Sequence, residues 1–152
     1  GFCMKVIFTN TSTKNLDFPA SQIDTITETV RNSDIIFVSV PGSSRNRHLI
    51  NKDIFLSMKK NSILINIARG DIVDESALID ALNSKKIAGA GLDVYEFEPF
   101  IPDNLLKFEN VTLLPHLGTA SLEIRTSMGE IALNNIRSHI NRKEPPNLIK
   151  SL

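Results

Sequence analysis

Short apolar runs of strand length alternate with stretches of helical periodicity along most of this chain. The runs at residues 35–40 and 63–67 are almost continuous in apolar, often β-branched, side chains. Unbroken runs of this kind are typical of strands that helices cover on both faces of a parallel sheet. Because parallel strands need crossover helices between them, the alternating order predicts a doubly wound α/β fold.

Capping residues mark where the predicted helices begin. Thr25 and Glu28 have the spacing of a capping box, and Asn51 and Asp74 each precede a stretch with apolar residues at helical spacing. We therefore expect a helix after each of these caps and a long final helix over residues 121–140. Strands are expected over residues 4–8, 35–40, 63–67, 87–94 and 111–114.

Composition excludes several classes of protein. The 152 residues carry a formal net charge of zero, with no basic stripe for nucleic acid and no apolar run long enough to cross a bilayer. Cys3 is the single cysteine, so we expect a small core residue, no disulfide and a cytoplasmic protein. The chain enters a strand soon after Gly1, which is the appearance of a cut through a larger protein or of processing.

Three polar side chains, Arg69, Glu98 and His116, each follow a predicted strand. The carboxyl ends of parallel strands open onto one edge of the sheet, and ligands bind at that edge. A cation, a carboxylate and an imidazole that meet there would suit proton transfer to a carbonyl next to a carboxylate. The sequence therefore predicts a catalytic site at this edge.

Each of these residues also has a purely structural interpretation. Arg69 could neutralise Asp71 or Asp74 at the surface, and Glu98, which precedes a proline, could be a turn residue. His116 could be a partly buried, hydrogen-bonded histidine. Taken one at a time, these interpretations compete with catalysis, and the ordered spacing of the three residues favours the functional one.

Other polar residues carry weaker signals. Asp93 could be a strand-end acceptor for loop amides. His48 and His139 are expected to be structural or exposed, and no residues near them have the spacing of metal ligands. No metal site is predicted.

Three sequence blocks carry a resemblance to a known family. They are INIARGDIVDESAL at residues 65–78, GLDVYEFEP at residues 91–99 and LPHLGTAS at residues 114–121. In this order and separation they resemble the D-isomer-specific 2-hydroxyacid dehydrogenases. Within this family, the sequence is most similar to the glyoxylate/hydroxypyruvate reductase branch.

The resemblance implies hydride transfer between a nicotinamide and the carbonyl carbon of a 2-oxo acid. His116 would give the ketone oxygen its proton, and Glu98 would pair with His116 and keep the imidazole charged. Arg69 would hold the substrate carboxylate and the ketone oxygen through its planar fork of donors. Asp93 would bind the nicotinamide carboxamide.

The resemblance also implies cofactor positions along the strand ends. Val40 and Pro41 would lie on the adenosine side, and Ile67 and Ala68 would lie along the nicotinamide. The same set includes Arg69, His116 and Gly118.

Asn10 is the residue that bears on the choice between NAD and NADP. It stands where NAD-preferring relatives place an acid that binds the ribose hydroxyls. The amide of Asn10, with hydroxyl residues and Lys14 after it, favours NADP(H) as the form of NAD(P). The alternative is an ordinary polar turn that says nothing about the cofactor.

The cofactor side of the sequence has one gap. A Rossmann-like fold usually opens with a strand, a glycine-rich turn that holds the pyrophosphate, and a helix. The 152 residues contain no such unit, and residues 89–91 are a false match because strand residues follow them. We therefore predict a partial dinucleotide-binding domain at residues 1–118 and, at residues 119–152, a helix and tail that bridge to a substrate lobe.

The expected partner is a small 2-oxo or 2-hydroxy acid, with a homodimer as the assembly. Nucleic acid and membranes are not expected partners. Two alternatives stay open: a catalytically silent dinucleotide-binding or scaffold module, and a truncated, inactive remnant.

Overall fold

A computed structural model describes residues 3–149 of the chain. The chain divides into two compact units, Gly1–Pro115 and His116–Leu152. Each unit is described by itself below.

The first unit is built from parallel strands joined by helices, which confirms the predicted α/β fold. Its strands are β1 (Val6–Phe8), β2 (Ala20–Gln22), β3 (Ile35–Val38), β4 (Ile63–Asn66), β5 (Gly89–Leu92) and β6 (Val111–Leu113). Its helices are α1 (Ile26–Arg31), α2 (Lys52–Ser57) and α3 (Glu75–Asn83). Short 3-10 turns lie at Ser44–Asn46, Gly70–Ile72 and Leu105–Lys107.

The strand register aligns the carboxyl ends of four strands. β3, β4, β5 and β6 form one parallel sheet in that order, in which Val38 pairs with Asn66 and Asn66 pairs with Leu92. Leu92 in turn pairs with Leu113. The loops that follow these strands therefore leave the sheet at the same edge, as the sequence predicts.

Strand β2 was not predicted. Its residues, Ala20–Gln22, are mostly polar and too short to show a period. It pairs in parallel with β1 to form a separate two-stranded sheet, and no strand in the described part of the chain joins β1 to β3. Pairing with a neighbour, rather than intrinsic preference, makes these three residues a strand.

The prediction that helices cover both faces of β3 is wrong for the described residues. Ile36 and Val38 are buried, whereas Phe37 is 59% exposed. The buried side belongs to one core that includes Val30 of α1 and Leu78 of α3. The first three helices thus leave the opposite face of β3 uncovered.

The predicted caps of α1, α2 and α3 are confirmed. The Thr25 hydroxyl accepts from the Glu28 amide at 3.1 Å, and the Asp74 carboxylate accepts from the Ala77 amide at 3.0 Å. The Asn51 side chain accepts from the amides of residues 53 and 54. Each cap satisfies amides that have no partner inside the helix.

The prediction that Cys3 is a core residue is wrong. The residue is exposed, with a backbone φ of 54°. The apolar segment after it becomes regular strand only at Val6, so Cys3 lies ahead of the element that could have buried it.

The second unit contains one long helix, α4 (Leu122–Ile140), which matches the predicted range closely. Ser121 caps it through a 3.3 Å bond from the Ile124 amide. None of its residues is buried, and Leu122 is 79% exposed. No helix among the described residues combines the length and apolarity needed to span a bilayer. The predicted roles for residues 1–118 and 119–152 stay predictions.

Candidate active site

The loop after β4 presents Arg69 at the carboxyl edge of the sheet. Asn66, the last residue of β4, is only 1% exposed, and its side chain bonds the loop at both ends. The side-chain oxygen Oδ1 accepts from the Ala68 amide at 3.1 Å, and the side-chain nitrogen Nδ2 donates to the Arg69 backbone carbonyl at 3.0 Å. A buried amide at the strand end therefore sets the direction in which the Arg69 side chain leaves the sheet.

The guanidinium of Arg69 stays available at the surface. It donates to the Ala68 carbonyl at 2.6 Å. In the described part of the chain, no ion pair joins it to Asp71 or Asp74, which removes the support for a purely neutralising role. The residue is exposed, as a ligand-binding cation at a sheet edge would be.

Two glycines let neighbouring loops approach Arg69. A Cβ added to Gly42, in the loop after β3, would lie 2.8 Å from the Arg69 Cγ. A Cβ added to Gly70 would lie 1.9 Å from both the carbonyl carbon and the oxygen of Tyr95. The loops that follow β3, β4 and β5 are therefore in direct contact at this edge.

Glu98 lies at the end of the 93–98 loop, which follows β5. Its Oε1 accepts from the Tyr95 amide at 3.0 Å, and the residue is otherwise exposed. This bond gives Glu98 the turn role that the sequence allowed. The turn role is compatible with the predicted catalytic one, because one carboxylate has several acceptor positions.

Tyr95 fastens the 93–98 loop to the end of β6. Its hydroxyl donates to the Leu114 carbonyl at 2.8 Å and lies 3.3 Å from the Leu92 carbonyl. The Leu114 amide donates to Leu92, so the ends of β5 and β6 are tied together. Burial, followed by the charge of Asp93, raises the pKa of the Tyr95 hydroxyl, which keeps this donor protonated.

Glu75 and Glu96 hold the middle of the same loop. Glu75, the first residue of α3, is 5% exposed, and its Oε1 accepts from the Glu96 amide at 2.8 Å. The Glu96 carboxylate in turn accepts from Arg47 at 2.9 Å and lies 2.7 Å from the His48 Nε2. Burial, and to a smaller degree the charge of Glu96, raises the pKa of Glu75.

His48 is therefore a structural residue, one of the two expected outcomes for it, and His139 is exposed on α4. Among the described residues, no group of three or more His, Cys, Asp and Glu side chains could hold a metal ion.

Asp93 and Ile67 border the region where a nicotinamide is expected. Asp93 is 7% exposed directly behind the end of β5, and its amide donates to the Asn66 carbonyl. Ile67 is 56% exposed, although the residues on either side of it are buried. A buried acid beside an uncovered apolar side chain is a suitable surface for a flat, partly polar ring.

Asn10 lies apart from this group, in the loop after β1. Its side chain bonds Ser12 at 3.1 Å, and Gln22 of β2 bonds the same loop through Ser12 and the Lys14 amide. The loop is thus a closed polar turn at the end of a different sheet.

His116 and Gly118 belong to the second unit. His116 is exposed and has a backbone φ of 54°, a conformation that non-glycine residues rarely adopt. The structure thus brings Val40, Pro41, Ile67, Ala68, Arg69 and Asp93 to one edge of the first unit. The meeting of Arg69 and Glu98 with His116 stays a prediction.

Sequence reasoning missed three residues that shape this edge: Asn66, Glu75 and Tyr95. The signal for Asn66 was a polar amide inside an apolar strand. Glu75 looked like an ordinary acid in a first helical turn, and Tyr95, the single tyrosine, stood at the end of a predicted strand next to Glu96. Their burial depends on contacts between distant segments, which sequence spacing does not show.

An open parallel sheet with polar residues at its carboxyl edge is an arrangement in which doubly wound α/β proteins bind dinucleotides. Residues 1–118 match the family model described as the D-isomer specific 2-hydroxyacid dehydrogenase, NAD binding domain. The chain belongs to this family, as the resemblance implied.

Relatives and solved structures agree with this assignment. The chain is 38% identical to glyoxylate reductase of Pyrococcus horikoshii, over 98% of this chain and 45% of that protein. Its fold is similar to that of the NADPH-dependent glyoxylate/hydroxypyruvate reductase of Sinorhizobium meliloti in complex with NADP and malonate, with a TM-score of 0.87, 34% identity, and coverage of 90% of this chain and 43% of that one.

Apo D-mandelate dehydrogenase of Rhodotorula graminis is also similar, with a TM-score of 0.91 and 32% identity. That match covers 100% of this chain and 46% of the other. The chain therefore spans less than half the length of the relatives it matches.

Proposed function

We propose that the protein containing this chain reduces a small 2-oxo acid, glyoxylate or hydroxypyruvate, with NAD(P)H. The observation that carries the proposal is the exposed Arg69 at the carboxyl edge of the sheet, where Asn66 bonds its backbone and its guanidinium donates to the Ala68 carbonyl. The glyoxylate reductase relatives and the glyoxylate/hydroxypyruvate reductase structure support this choice of substrate.

Arg69 is proposed to bind the substrate carboxylate and the ketone oxygen. A guanidinium presents a planar fork of donors, which suits two oxygens on adjacent carbons. As the ketone is reduced, negative charge grows on its oxygen, and one well-placed donor typically stabilises that charge by about 3–4 kcal/mol.

His116 and Glu98 are proposed as the proton donor and its acidic partner. The ketone oxygen needs a proton as the carbon gains its hydride, and a charged imidazole can give one near neutral pH. A neighbouring carboxylate favours the charged imidazole. The positions of both residues in the family blocks support these roles.

The residues at the sheet edge fit a dinucleotide. Asp93 would accept a hydrogen bond from the carboxamide, and the exposed side chain of Ile67, next to the buried Ala68, would lie along the ring. Val40 and Pro41 would flank the adenosine, while Gly118 and His116 would complete the nicotinamide side. When bound, the reduced nicotinamide supplies the hydride, and the protein supplies placement and charge.

NADP(H) is proposed as the preferred form. The turn around Asn10 contains hydroxyl and amide groups with Lys14 nearby, and no carboxylate that would repel a 2′-phosphate. The S. meliloti neighbour, solved with NADP, supports this preference.

The proposal for partners includes a homodimer in the cytoplasm, with no nucleic acid and no membrane as partner. The zero net charge speaks against nucleic acid. The exposed apolar residues of α4, such as Leu122 and Ile136, support association between subunits.

Measurement of turnover with the full-length protein that contains these 152 residues tests the proposed function. We expect oxidation of NADPH with glyoxylate or hydroxypyruvate, and a loss of about 100-fold or more in kcat for His116→Gln, since proton donors typically contribute that much. Cofactor affinity, measured by calorimetry, should be nearly unchanged.

His139→Gln is the matched control, because it alters an exposed histidine on α4. Full turnover by His116→Gln would remove this residue from the mechanism. If the protein binds the cofactor but turns over no 2-oxo acid, the proposed activity is wrong and the protein is a catalytically silent dinucleotide-binding module.

A further inference from the structure

The 93–98 loop carries two of the proposed site residues, Asp93 and Glu98, yet it contains no regular secondary structure. Its placement must therefore come from contacts with other segments. The contact to Tyr95 from Glu98 lies within the loop itself and cannot anchor the loop to the sheet.

Glu75 supplies an anchor from outside the loop. Its Oε1 accepts from the Glu96 amide at 2.8 Å, while Oε2 is buried with no hydrogen-bond partner among the described residues. Capping does not require this burial, because Asp74 already caps α3. A buried carboxylate with one unsatisfied oxygen is costly, so its bond to the loop is the feature that explains its position.

The anchored part of the loop also touches the Arg69 segment. Gly70 packs so closely against Tyr95 and the Glu96 amide that an added Cβ would overlap both. The Glu96 amide thus donates to Glu75 and also lies against the backbone of Gly70. Because Gly70 directly follows Arg69, this contact joins the loop that carries Glu98 to the loop that carries Arg69.

The Glu96 side chain gives the loop a further support, besides the bond from the Tyr95 hydroxyl to Leu114. Its carboxylate is 6% exposed and is bonded by Arg47 and His48, which precede α2. These bonds hold the side chain of Glu96, whereas Glu75 holds its backbone. The backbone bond is the one that bears directly on the course of the loop.

From these contacts we propose that Glu75 is a positioning residue, which sets the place of Glu98 relative to Arg69 by accepting a hydrogen bond from the Glu96 amide. This inference rests on the proposed function for its effect on catalysis. The positioning itself is a separate claim about the loop. Burial raises the pKa of Glu75, while the hydrogen bond from the Glu96 amide acts in the opposite direction and lowers it.

Four variants separate the hydrogen bond from the charge. Glu75→Gln keeps an acceptor oxygen at the same reach, and Glu75→Ala removes it. Glu75→Asp keeps the charge but withdraws the oxygens by one methylene. Asp80→Ala is the matched control, since it removes an exposed carboxylate from the same helix.

The hydrogen-exchange rate of the Glu96 amide reports whether its hydrogen bond is intact, and this measurement does not depend on catalytic activity. We expect exchange to be about tenfold faster in Glu75→Ala and Glu75→Asp, the size of one lost hydrogen bond. Glu75→Gln and Asp80→Ala should match the unaltered protein. Unchanged exchange in both Glu75→Ala and Glu75→Asp would overturn the proposal.

Steady-state kinetics with glyoxylate then test the catalytic consequence. We expect kcat to fall about 100-fold in Glu75→Asp, as misplaced catalytic groups typically cause, with little change in the KM for cofactor. Glu75→Gln should restore kcat, and equal losses in Gln and Asp would refute positioning by a hydrogen bond. If the unaltered protein reduces no 2-oxo acid, the proposed function fails, and hydrogen exchange alone decides the role of Glu75.

Discussion

At the scale of single residues, Arg69 depends on a neighbour that shares its loop. Asn66 is buried and uses both ends of its amide to close the turn between itself and Arg69. The arginine is therefore directed by a hydrogen-bonded turn and not by an ion pair. This arrangement leaves the guanidinium charge uncompensated at the described sheet edge, where an anionic substrate would benefit from it.

Replacement of Arg69 by lysine tests whether geometry or charge matters there. Lysine keeps the charge but lacks the planar fork, so we expect kcat/KM for glyoxylate to fall about 100-fold. Steady-state kinetics measure this effect, with Arg31→Lys on the exposed face of α1 as the control. An unchanged kcat/KM would mean that Arg69 acts only as a point charge.

At the scale of elements, the loops after the strands determine the arrangement of the candidate site more directly than the strands do. β3, β4 and β5 supply an aligned platform, and the loops that leave it contact one another at Gly42 and Gly70. Gly70 is required by this close approach and not by its backbone angles, since no glycine has a positive φ in the described part of the chain.

Gly70→Ala is expected to be strongly destabilising. The new Cβ would lie 1.9 Å from backbone atoms of Tyr95, which cannot rotate away, so we expect a loss of about 3 kcal/mol in the free energy of unfolding. Gly129→Ala in α4 is the control, because nothing lies within 4 Å of its added Cβ. That variant should gain up to about 1 kcal/mol from helix propensity. Equal unfolding midpoints in denaturant for both variants would contradict the close contact at Gly70.

At the scale of the whole molecule, the burial of Glu75 links stability to pH. The folded state raises the pKa of Glu75 above its ordinary value of 4.5, chiefly through burial and further through the charge of Glu96. The folded state therefore binds this proton more tightly than the unfolded chain does. The associated stability is complete below the ordinary value and is lost as the pH rises through the raised pKa.

Glu75→Gln should remove this dependence. We expect its free energy of unfolding, relative to that of the unaltered protein, to increase as the pH rises from the ordinary value of 4.5 through the raised pKa of Glu75. Denaturant unfolding at several pH values measures the difference, and Asp80→Asn provides the exposed control on the same helix. Parallel curves for the Gln variant and the unaltered protein would show that Glu75 ionises alike in both states.

Much of the fold could be predicted because its signals are local. The caps at Thr25, Asn51 and Asp74 satisfy amides within a few residues, and the runs that become β3 and β4 are almost continuously apolar. The roles proposed for Arg69, Asp93, Glu98 and His116 likewise come from the order of residues in the family blocks, and they stay predictions. β2 escaped prediction because only its pairing with β1 makes it a strand.

By itself, the sequence determined the order of strands and helices apart from β2, the helix starts and the family, because each depends on neighbours along the chain. Only the tertiary structure decided that Cys3 is exposed, that one face of β3 is uncovered, and that Glu75 is buried beneath the loop of Glu98. Burial and long-range hydrogen bonds are set by segments distant in sequence, such as residues 75 and 96. No local pattern encodes such a meeting, and the proposed positioning of the site depends on it.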